Sequence, residues 1–407
     1  MASQDPASSQ LQTSANEAVP SWEDFQNLRG RRFLLTAGHF DFFSGAEKQA
    51  VYFARELVRH LDVDVRFIGW GGDGRFADEI RNVGAVPVPY QLSVEDTFGW
   101  AGYRLLLPLA AFIRDQLKPD FLLPYVWMHC RIIGAIWRRT GASFCWWNQR
   151  DEGRGITGTW LERRLMKSLP AVISNSWEGR DFLTRKFRLP ESKVQVIKNG
   201  VVVPEAGQNA LWRQQHAIPE NALLISMVAT LSKFKDHPVL LKAFAAAANE
   251  CPEQNLQLVL AGDHADMTDT IRSLAVELGI TDRLHLPGAI TNVNELLRSV
   301  DLVVHSSNTE GCPNGVLEPM ALGIPVVGTD ISGIRQALGD SSLEPRLNSP
   351  GNWRQLSEMI VRRVKSPELR AEEGALNRKR IQQHFSIDLM ARKSLAVIWR
   401  WMQTQSR

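Results

Sequence analysis

The sequence predicts an α/β protein built as two doubly wound, Rossmann-like domains that face each other across a cleft. Three observations predict it. Short apolar runs alternate with helix-length segments from Arg32 onward. The alternation starts afresh after a break carrying Gly200, Pro204 and Gly207, and 407 residues are enough for two cores of ordinary size. Repeated strand–helix alternation implies parallel sheets with right-handed crossovers. Ligands then belong at the carboxyl ends of the strands of both halves.

Residues 1–30 are rich in Ser, Gln, Ala and Asp and lack the basic start and apolar block of a signal peptide. They read as a disordered tail with no assigned role. Residues 31–200 form the first domain, with strands expected at 33–36, 65–69, 86–88, 121–124, 143–147, 171–174 and 194–197. Helix-like segments lie between them, among them 46–59, 132–139 and 177–187, and Gly71, Gly72 and Gly74 read as a turn. Residues 199–208 read as a linker. The second domain, 201–386, repeats the scheme with strands at 223–228, 256–261, 283–286, 302–304 and 325–327 and helices such as 238–249 and 267–278. A last helix-like stretch covers 387–403, and its Trp399, Trp401 and Met402 read as core packing.

The densest chemistry follows the run at 302–304, in Glu310-Gly311-Cys312-Pro313-Asn314-Gly315-Val316-Leu317-Glu318. This loop leads into Pro319, Met320, Ala321 and Leu322, which read as a helix, and then into a strand-like run at 324–327. It therefore opens the helix of a β-loop-α-β unit. A helix N-terminus offers unpaired N–H groups and a partial positive charge, a cradle for a diphosphate. Glu318 can accept hydrogen bonds from two ribose hydroxyls, as the acid of a dinucleotide fold does. Glu310, on the strand side, can reach a sugar beyond the phosphates, so the loop suits a nucleotide-sugar. The plainer alternative is a tight turn at Gly311 and Gly315 with Glu318 complementing the helix dipole.

Ala321, Gly323, Pro325, Val326 and Val327 extend the loop into a longer pattern. From Glu310 to Val327 the chain resembles the signature E-G-x-P-x-x-x-L-E-A-M-A-x-G-x-P-V-V of the retaining GT-B glycosyltransferases of family 4. It departs at Pro319, where alanine is usual. The resemblance covers nearly the whole chain from about Arg32 and implies the GT-B fold, with the last helix packed back on the first domain. It also implies transfer of a hexose-type residue from a nucleotide-sugar to a hydroxyl acceptor, which is a sugar, a lipid-linked molecule or another hydroxyl compound. In such enzymes the diphosphate leaves from the front face, and the protein mainly supplies positioning and charge. The donor would then be held by Gly311, Cys312, Pro313, Asn314, Gly315, Val316 and Leu317 at the helix start, by Glu318 at the ribose and by Glu310 at the sugar. Glu310 and Lys235 would carry the catalytic roles.

The stretch from Val228 to His237 is similar to the family's V-x-R-L-x-x-x-K-x-H segment, whose lysine meets the donor phosphates. A flexible ammonium at Lys235 suits charge growing on a leaving diphosphate. The arginine position is Thr230 here, so either Lys233 supplies a second charge or the site manages with one. Gly262 and Asp263 resemble a structural turn of the family. Pro287, Gly288, Ala289 and Ile290 follow another strand, where relatives hold the base through main-chain groups of positions matching Ala289 and Ile290. In the first domain Ser44, Gly45, Ala46 and Glu47 resemble the family's G-G-A-E loop, with Gly45 approaching the donor; a plain helix start is the alternative. His129 falls at a cleft position. Arg150 follows Gln149, which stands where many relatives carry histidine; it can bind phosphate or an acidic acceptor, or pair with a neighbouring carboxylate. Asn175 and Ser176 either contact an acceptor or cap the next helix.

Net charge of +3 and 44% hydrophobic content fit a soluble globular protein and give no footprint for nucleic acid. Cys130, Cys145, Cys251 and Cys312 have no metal-like spacing and suit reduced thiols in cytoplasm. No apolar run spans a membrane; 105–113 is short and contains Pro108. Residues 160–167 form a basic amphipathic stretch, read as an ordinary helix with Trp160 and Leu161 buried; the alternative is peripheral contact with the inner face of an anionic membrane. No D-x-D pair stands at a plausible site, so neither a cofactor nor an essential metal is expected. Two other functions share these features: a phosphorylase using a sugar 1-phosphate, and a non-catalytic binding protein of the same fold.

Overall fold

The computed structural model describes residues 18–41, 45–93, 99–153, 155–204, 211–339 and 344–405. Runs of consecutive apolar residues become parallel strands because helices cover both faces of each sheet. In the first domain these are β1 (Arg32–His39), β2 (Asp64–Trp70), β3 (Val86–Tyr90), β4 (Phe121–Leu123), β5 (Phe144–Gln149), β6 (Ala171–Ser174) and β7 (Val194–Val196). In the second they are β8 (Leu223–Val228), β9 (Leu256–Ala261), β10 (Leu284–Gly288), β11 (Leu302–His305), β12 (Val326–Thr329) and β13 (Leu347–Asn348).

The first sheet has the order β3-β2-β1-β4-β5-β6-β7 and the second β10-β9-β8-β11-β12-β13. Neighbouring strands are parallel throughout, with Phe33 beside Val65 and Phe121, and Val303 beside Ser226 and Val326. The order reverses between β1 and β4, and again between β8 and β11. Crevices for ligands open at the carboxyl ends of such strand pairs. Each half is thus a doubly wound α/β unit, and together they make the two-domain fold expected from the sequence.

Two segments cross between the halves side by side. Val201 N–H donates to Phe385 O at 2.8 Å, and Val201 bridges Ser386. Beyond this crossing the helix Ile387–Gln405 returns to the first domain, where Ile387, Met390, Leu395 and Ile398 enter the same core cluster as Phe33, Phe53 and Phe67. Trp399, Trp401 and Met402 pack partly buried on its edge.

The reading of residues 1–30 as a disordered tail is corrected over 18–30, and residues 1–17 lie outside the described part. Glu23–Leu28 form a 3-10 helix whose Phe25 and Leu28 are fully buried. Trp22 donates from Nε1 to Asp388 Oδ1 at 2.7 Å and stacks on His60. Two buried hydrophobic side chains and an anchored indole outweigh the polar composition around them.

Candidate active site

The site is assembled from loops at the carboxyl ends of β8 and β11, the pair at the switch point of the second sheet. After β8 the chain makes a 3-10 turn, Lys233–Lys235. After β11 it runs through Ser306 and Ser307 to Glu310. The loops are tied together: Ser306 Oγ donates to Lys235 O at 2.9 Å and Asn308 N–H donates to Phe234 O at 2.9 Å.

That tie sets three donors on one carboxylate oxygen. Glu310 Oε1 accepts from Lys235 Nζ, from His305 Nε2 at 2.9 Å and from Ser307 Oγ at 2.7 Å. Burial of the Glu310 carboxyl would raise its pKa, but the Lys235 ammonium and the His305 hydrogen bond more than offset this and hold it well below the usual carboxylate range. Glu310 is therefore a buried, fixed anion. It borders a cavity of about 340 Å³ between the halves, shared by Asn308 and Ser332 of the second domain and by Glu152, Glu178 and Arg185 of the first. Lys233 does not join it; its Nζ lies 5.5 Å above the exposed Phe234 ring. His237, two residues beyond Lys235, is fully buried and neither ring nitrogen has a hydrogen-bond partner among the described residues. Burial first, then His305 and Lys235, bring its pKa down to about 4.

The helix expected from Pro319 starts earlier, at Asn314, and runs to Leu322 with Pro319 inside it. Its N-terminus, with Gly311, Cys312 and Pro313 leading in, faces the first domain. A Cβ on Gly311 would meet Asn175 Oδ1 at 2.7 Å, and one on Gly315 would meet Val228 O at 2.6 Å. Both positions need glycine for close approach. Val316 and Leu317 are fully buried and anchor the helix. Glu318 accepts from Lys48 Nζ at 2.6 Å, a bond that bridges the two domains. Burial lowers the Lys48 pKa, but Glu318 and Tyr52 raise it by more, and the net shift is upward.

The first-domain candidates are brought to the same region, though not in the ways expected. Gly45 O accepts from Asn314 Nδ2 at 3.4 Å, while Ser44 lies outside the described residues. Among the described residues, Arg150 pairs with no carboxylate. Its guanidinium lies 4.9 Å above the Tyr125 ring and donates to Asn199 Oδ1 at 3.1 Å. Asn175 donates to Arg150 O at 2.9 Å, and the helix cap falls to Ser176, whose Oγ accepts from Gly179 N–H at 3.1 Å. His129 is buried against Trp70 rather than open to the cleft, and burial brings its pKa down to about 4. On the opposite rim Ala289 is exposed and Ile290 half-buried, and Thr291 O accepts from Arg75 Nη2 at 2.9 Å. Gly262 N–H donates to Gly288 O at 2.9 Å, tying that turn to β10.

Sequence reasoning missed His305, Ser307 and Asn199. A lone histidine at a strand end reads as core. Asn199 was placed in the linker, yet its Nδ2 donates to Cys312 O at 2.8 Å and Asn314 Oδ1 at 2.9 Å, joining linker to helix start. The Asn199-Gly200 dipeptide was the available signal.

The only His/Cys/Asp/Glu group among the described residues that is close enough to share a metal is Glu56, His60 and Asp388. It lies outside this site, and Arg55 and Arg392 already pair with its carboxylates. All four cysteines are buried free thiols.

The chain matches the family described as Glycosyl transferases group 1 over residues 208–380 and that described as Glycosyltransferase Family 4 over residues 43–203. It is 26% identical over 311 residues to a D-inositol 3-phosphate glycosyltransferase of Corynebacterium glutamicum, covering 69% of this chain and 73% of the relative. The match to the protein of that name from Stackebrandtia nassauensis is 28% identical but spans 49% of this chain and 48% of the relative. Among solved structures, Anabaena Alr3699/HepE in complex with UDP and glucose superposes with TM-score 0.75 at 17% identity, over 90% of this chain and 99% of that one. Sucrose-phosphate synthase from Thermosynechococcus elongatus superposes with TM-score 0.71 at 16% identity, over 92% and 100% of the two chains. These likenesses show the fold.

Proposed function

Since this chain belongs to the group 1 glycosyltransferases of the GT-B fold, we propose that it transfers a hexose-type residue from a nucleotide-sugar, with retention of anomeric configuration, to a hydroxyl acceptor in glycoconjugate biosynthesis. The observation that carries this reading is the buried Glu310 anion, fixed by Lys235, His305 and Ser307 close to the N-terminus of the helix Asn314–Leu322. The family's named activity and the UDP and glucose held by Anabaena HepE support the donor class.

In this reading the diphosphate lies at the start of the helix Asn314–Leu322, where main-chain N–H groups and the helix dipole meet negative charge. Glu318 accepts from the ribose hydroxyls, exchanging part of its bond to Lys48. The base takes main-chain hydrogen bonds at Ala289 and Ile290. Glu310 holds the sugar hydroxyls, and Lys235 lies close enough to share its charge with the departing diphosphate. The acceptor enters from the first-domain side, near Arg150 and Asn175, and its hydroxyl proton passes to the leaving phosphate. No side chain acts as a covalent nucleophile, and the reaction runs without a metal.

The test is to supply nucleotide-sugars singly, with EDTA present, and to follow release of nucleoside diphosphate and the product anomer by NMR. Retention with full activity in EDTA is the expected result. An inverted product, rescue by manganese or magnesium, or turnover of a sugar 1-phosphate instead would overturn it.

A further inference from the structure

The lysines around the start of the helix Asn314–Leu322 leave little charge for a diphosphate. Lys235 is bonded to Glu310 and Lys48 to Glu318, so each is already matched by a carboxylate. Lys233 lies over the Phe234 ring, Thr230 of the same loop is neutral, and Lys198 lies 5.1 Å over the Phe385 ring. What remains is the helix N-terminus, worth about half an elementary charge, against the full charges of a diphosphate.

Arg150, on the other side of the domain seam, has charge to offer. Its Nη1 donates to Asn199 Oδ1 at 3.1 Å, but Nε and Nη2 are buried and meet no hydrogen-bond partner among the described residues. Those two nitrogens form an edge of the guanidinium fork, the edge that matches two oxygens of one phosphate. Buried polar groups are nearly always paired, and an unpaired buried charge costs more than an unpaired amide. The ionisable groups beside it do not compensate. Burial pushes the Tyr125 hydroxyl and the Cys130 thiol up to about 12 and raises the Cys312 thiol, so all three stay neutral. The same burial lowers the pKa of Arg150 itself. Other arginines are provided for: buried Arg363 is matched by Glu373. Arg164 sits in water, 5.5 Å over a Trp160 that is 64% exposed rather than buried as expected.

The fold ties this guanidinium to the entry of the helix. Asn199, which holds Nη1, donates from Nδ2 to Cys312 O at 2.8 Å and to Asn314 Oδ1 at 2.9 Å. Asn175 donates to Arg150 O at 2.9 Å, and its Oδ1 would meet a Cβ on Gly311 at 2.7 Å. Both ends of Arg150 are thus one side chain away from the turn Gly311–Asn314. Beneath the guanidinium lies the Tyr125 ring, and the next residue, Val126, is held at φ 68°, where a β-branched side chain is strained. Strain of this kind persists where the surrounding structure fixes it, commonly at functional sites. We propose that Arg150 offers its Nε–Nη2 edge across the seam to the phosphate oxygens of the donor. There it also takes up part of the charge left on the diphosphate when the sugar's bond to it breaks. The proposal rests on the transferase reading for the donor, but the anion site is measured separately.

The experiment titrates the full chain with inorganic pyrophosphate, which carries the diphosphate without base or sugar, in a calorimeter. Affinity is expected to fall about ten- to a hundredfold in Arg150→Met, the usual loss for hydrogen bonds to charged groups, and to recover in part in Arg150→Lys. The control Lys233→Met binds as the parent does. Without ligand, Arg150→Met unfolds at the same or a higher temperature, because an unpaired buried charge is gone. A purely structural arginine gives a lower midpoint and an unchanged pyrophosphate affinity, and that result overturns the proposal. Should Arg150→Met not fold, Arg150→Gln, which keeps a donor for Asn199, gives the same reading. With a nucleotide-sugar that the parent turns over, kcat of the variant is expected to fall roughly a hundredfold. No pyrophosphate binding by the parent overturns the proposal. So does a variant that keeps pyrophosphate affinity and kcat but loses acceptor KM, since Arg150 then serves an acid group of the acceptor. Weakened pyrophosphate binding in the variant, with no nucleotide-sugar turned over by the parent, rejects the transferase reading and leaves the anion site standing.

Discussion

Three donors converge on Glu310 Oε1 and none of them reaches Oε2, so the carboxylate is oriented as well as charged. Glu310→Gln keeps the shape but removes the charge. Transfer is expected to fall roughly a hundred- to a thousandfold, the usual loss for one preorganised group, while nucleoside diphosphate binds as before in titration calorimetry. His305 acts through Glu310 and is a positioning residue. His305→Ala is expected to lower kcat about tenfold with little change in donor KM, and His305→Gln, which restores an N–H donor, recovers part of it. Equal losses in both variants would show that His305 only fills space. Glu310 was singled out by its place beside the loop that opens a helix, and Lys235 by resemblance to a family segment; the structure brings their side chains together. His305 was not legible, because no local pattern separates a strand-end histidine that serves a glutamate five residues on from one that packs.

Elements were legible where both faces are covered. β9 and β11 are fully buried runs, and parallel strands of this kind announce themselves by uninterrupted apolar sequence. The short β13 and the helix Gly99–Phe112, with Pro108 inside it, were missed because neither has a period of its own. Also unseen was the junction of the helices Trp353–Lys365 and Pro367–His384. There Arg363 and Glu373 are completely buried and Arg363 Nε donates to Glu373 Oε2 at 2.8 Å. Removing one partner of a buried pair leaves an uncompensated charge. Glu373→Ala is therefore expected to cost about 3–5 kcal/mol in urea unfolding without altering donor affinity of the folded protein.

At the scale of the whole molecule, acid sensitivity follows from two histidines, one in each domain. His129 and His237 have pKa values near 4 in the fold because burial disfavours their charge, against 6.5 when exposed. The unfolded chain therefore binds more protons between these values, and stability falls as pH drops from about 6.5 to about 4, by about 1.4 kcal/mol per pH unit for each histidine fully engaged. The Glu310 pKa is lowered too, by Lys235 and His305 against the cost of burial, so it stabilises the fold at neutral pH and that stabilisation is lost only in stronger acid. Urea unfolding at pH 7, 6 and 5 checks this, and His129→Asn is expected to reduce the slope. The two wound halves were readable from alternation alone. Their contacts were not, because Lys48 with Glu318 and Asn199 with Cys312 join residues more than a hundred positions apart that no local pattern links. The returning helix Ile387–Gln405 carries one more consequence, for the order in which the chain is made. Phe33, Phe53 and Phe67 share a core with Met390 and Leu395, so the core of the first domain stays open until the helix Ile387–Gln405, beyond the whole second domain, has been translated. On the ribosome, the second domain can close over its own core while the first waits for that helix, its apolar face meanwhile available to chaperones.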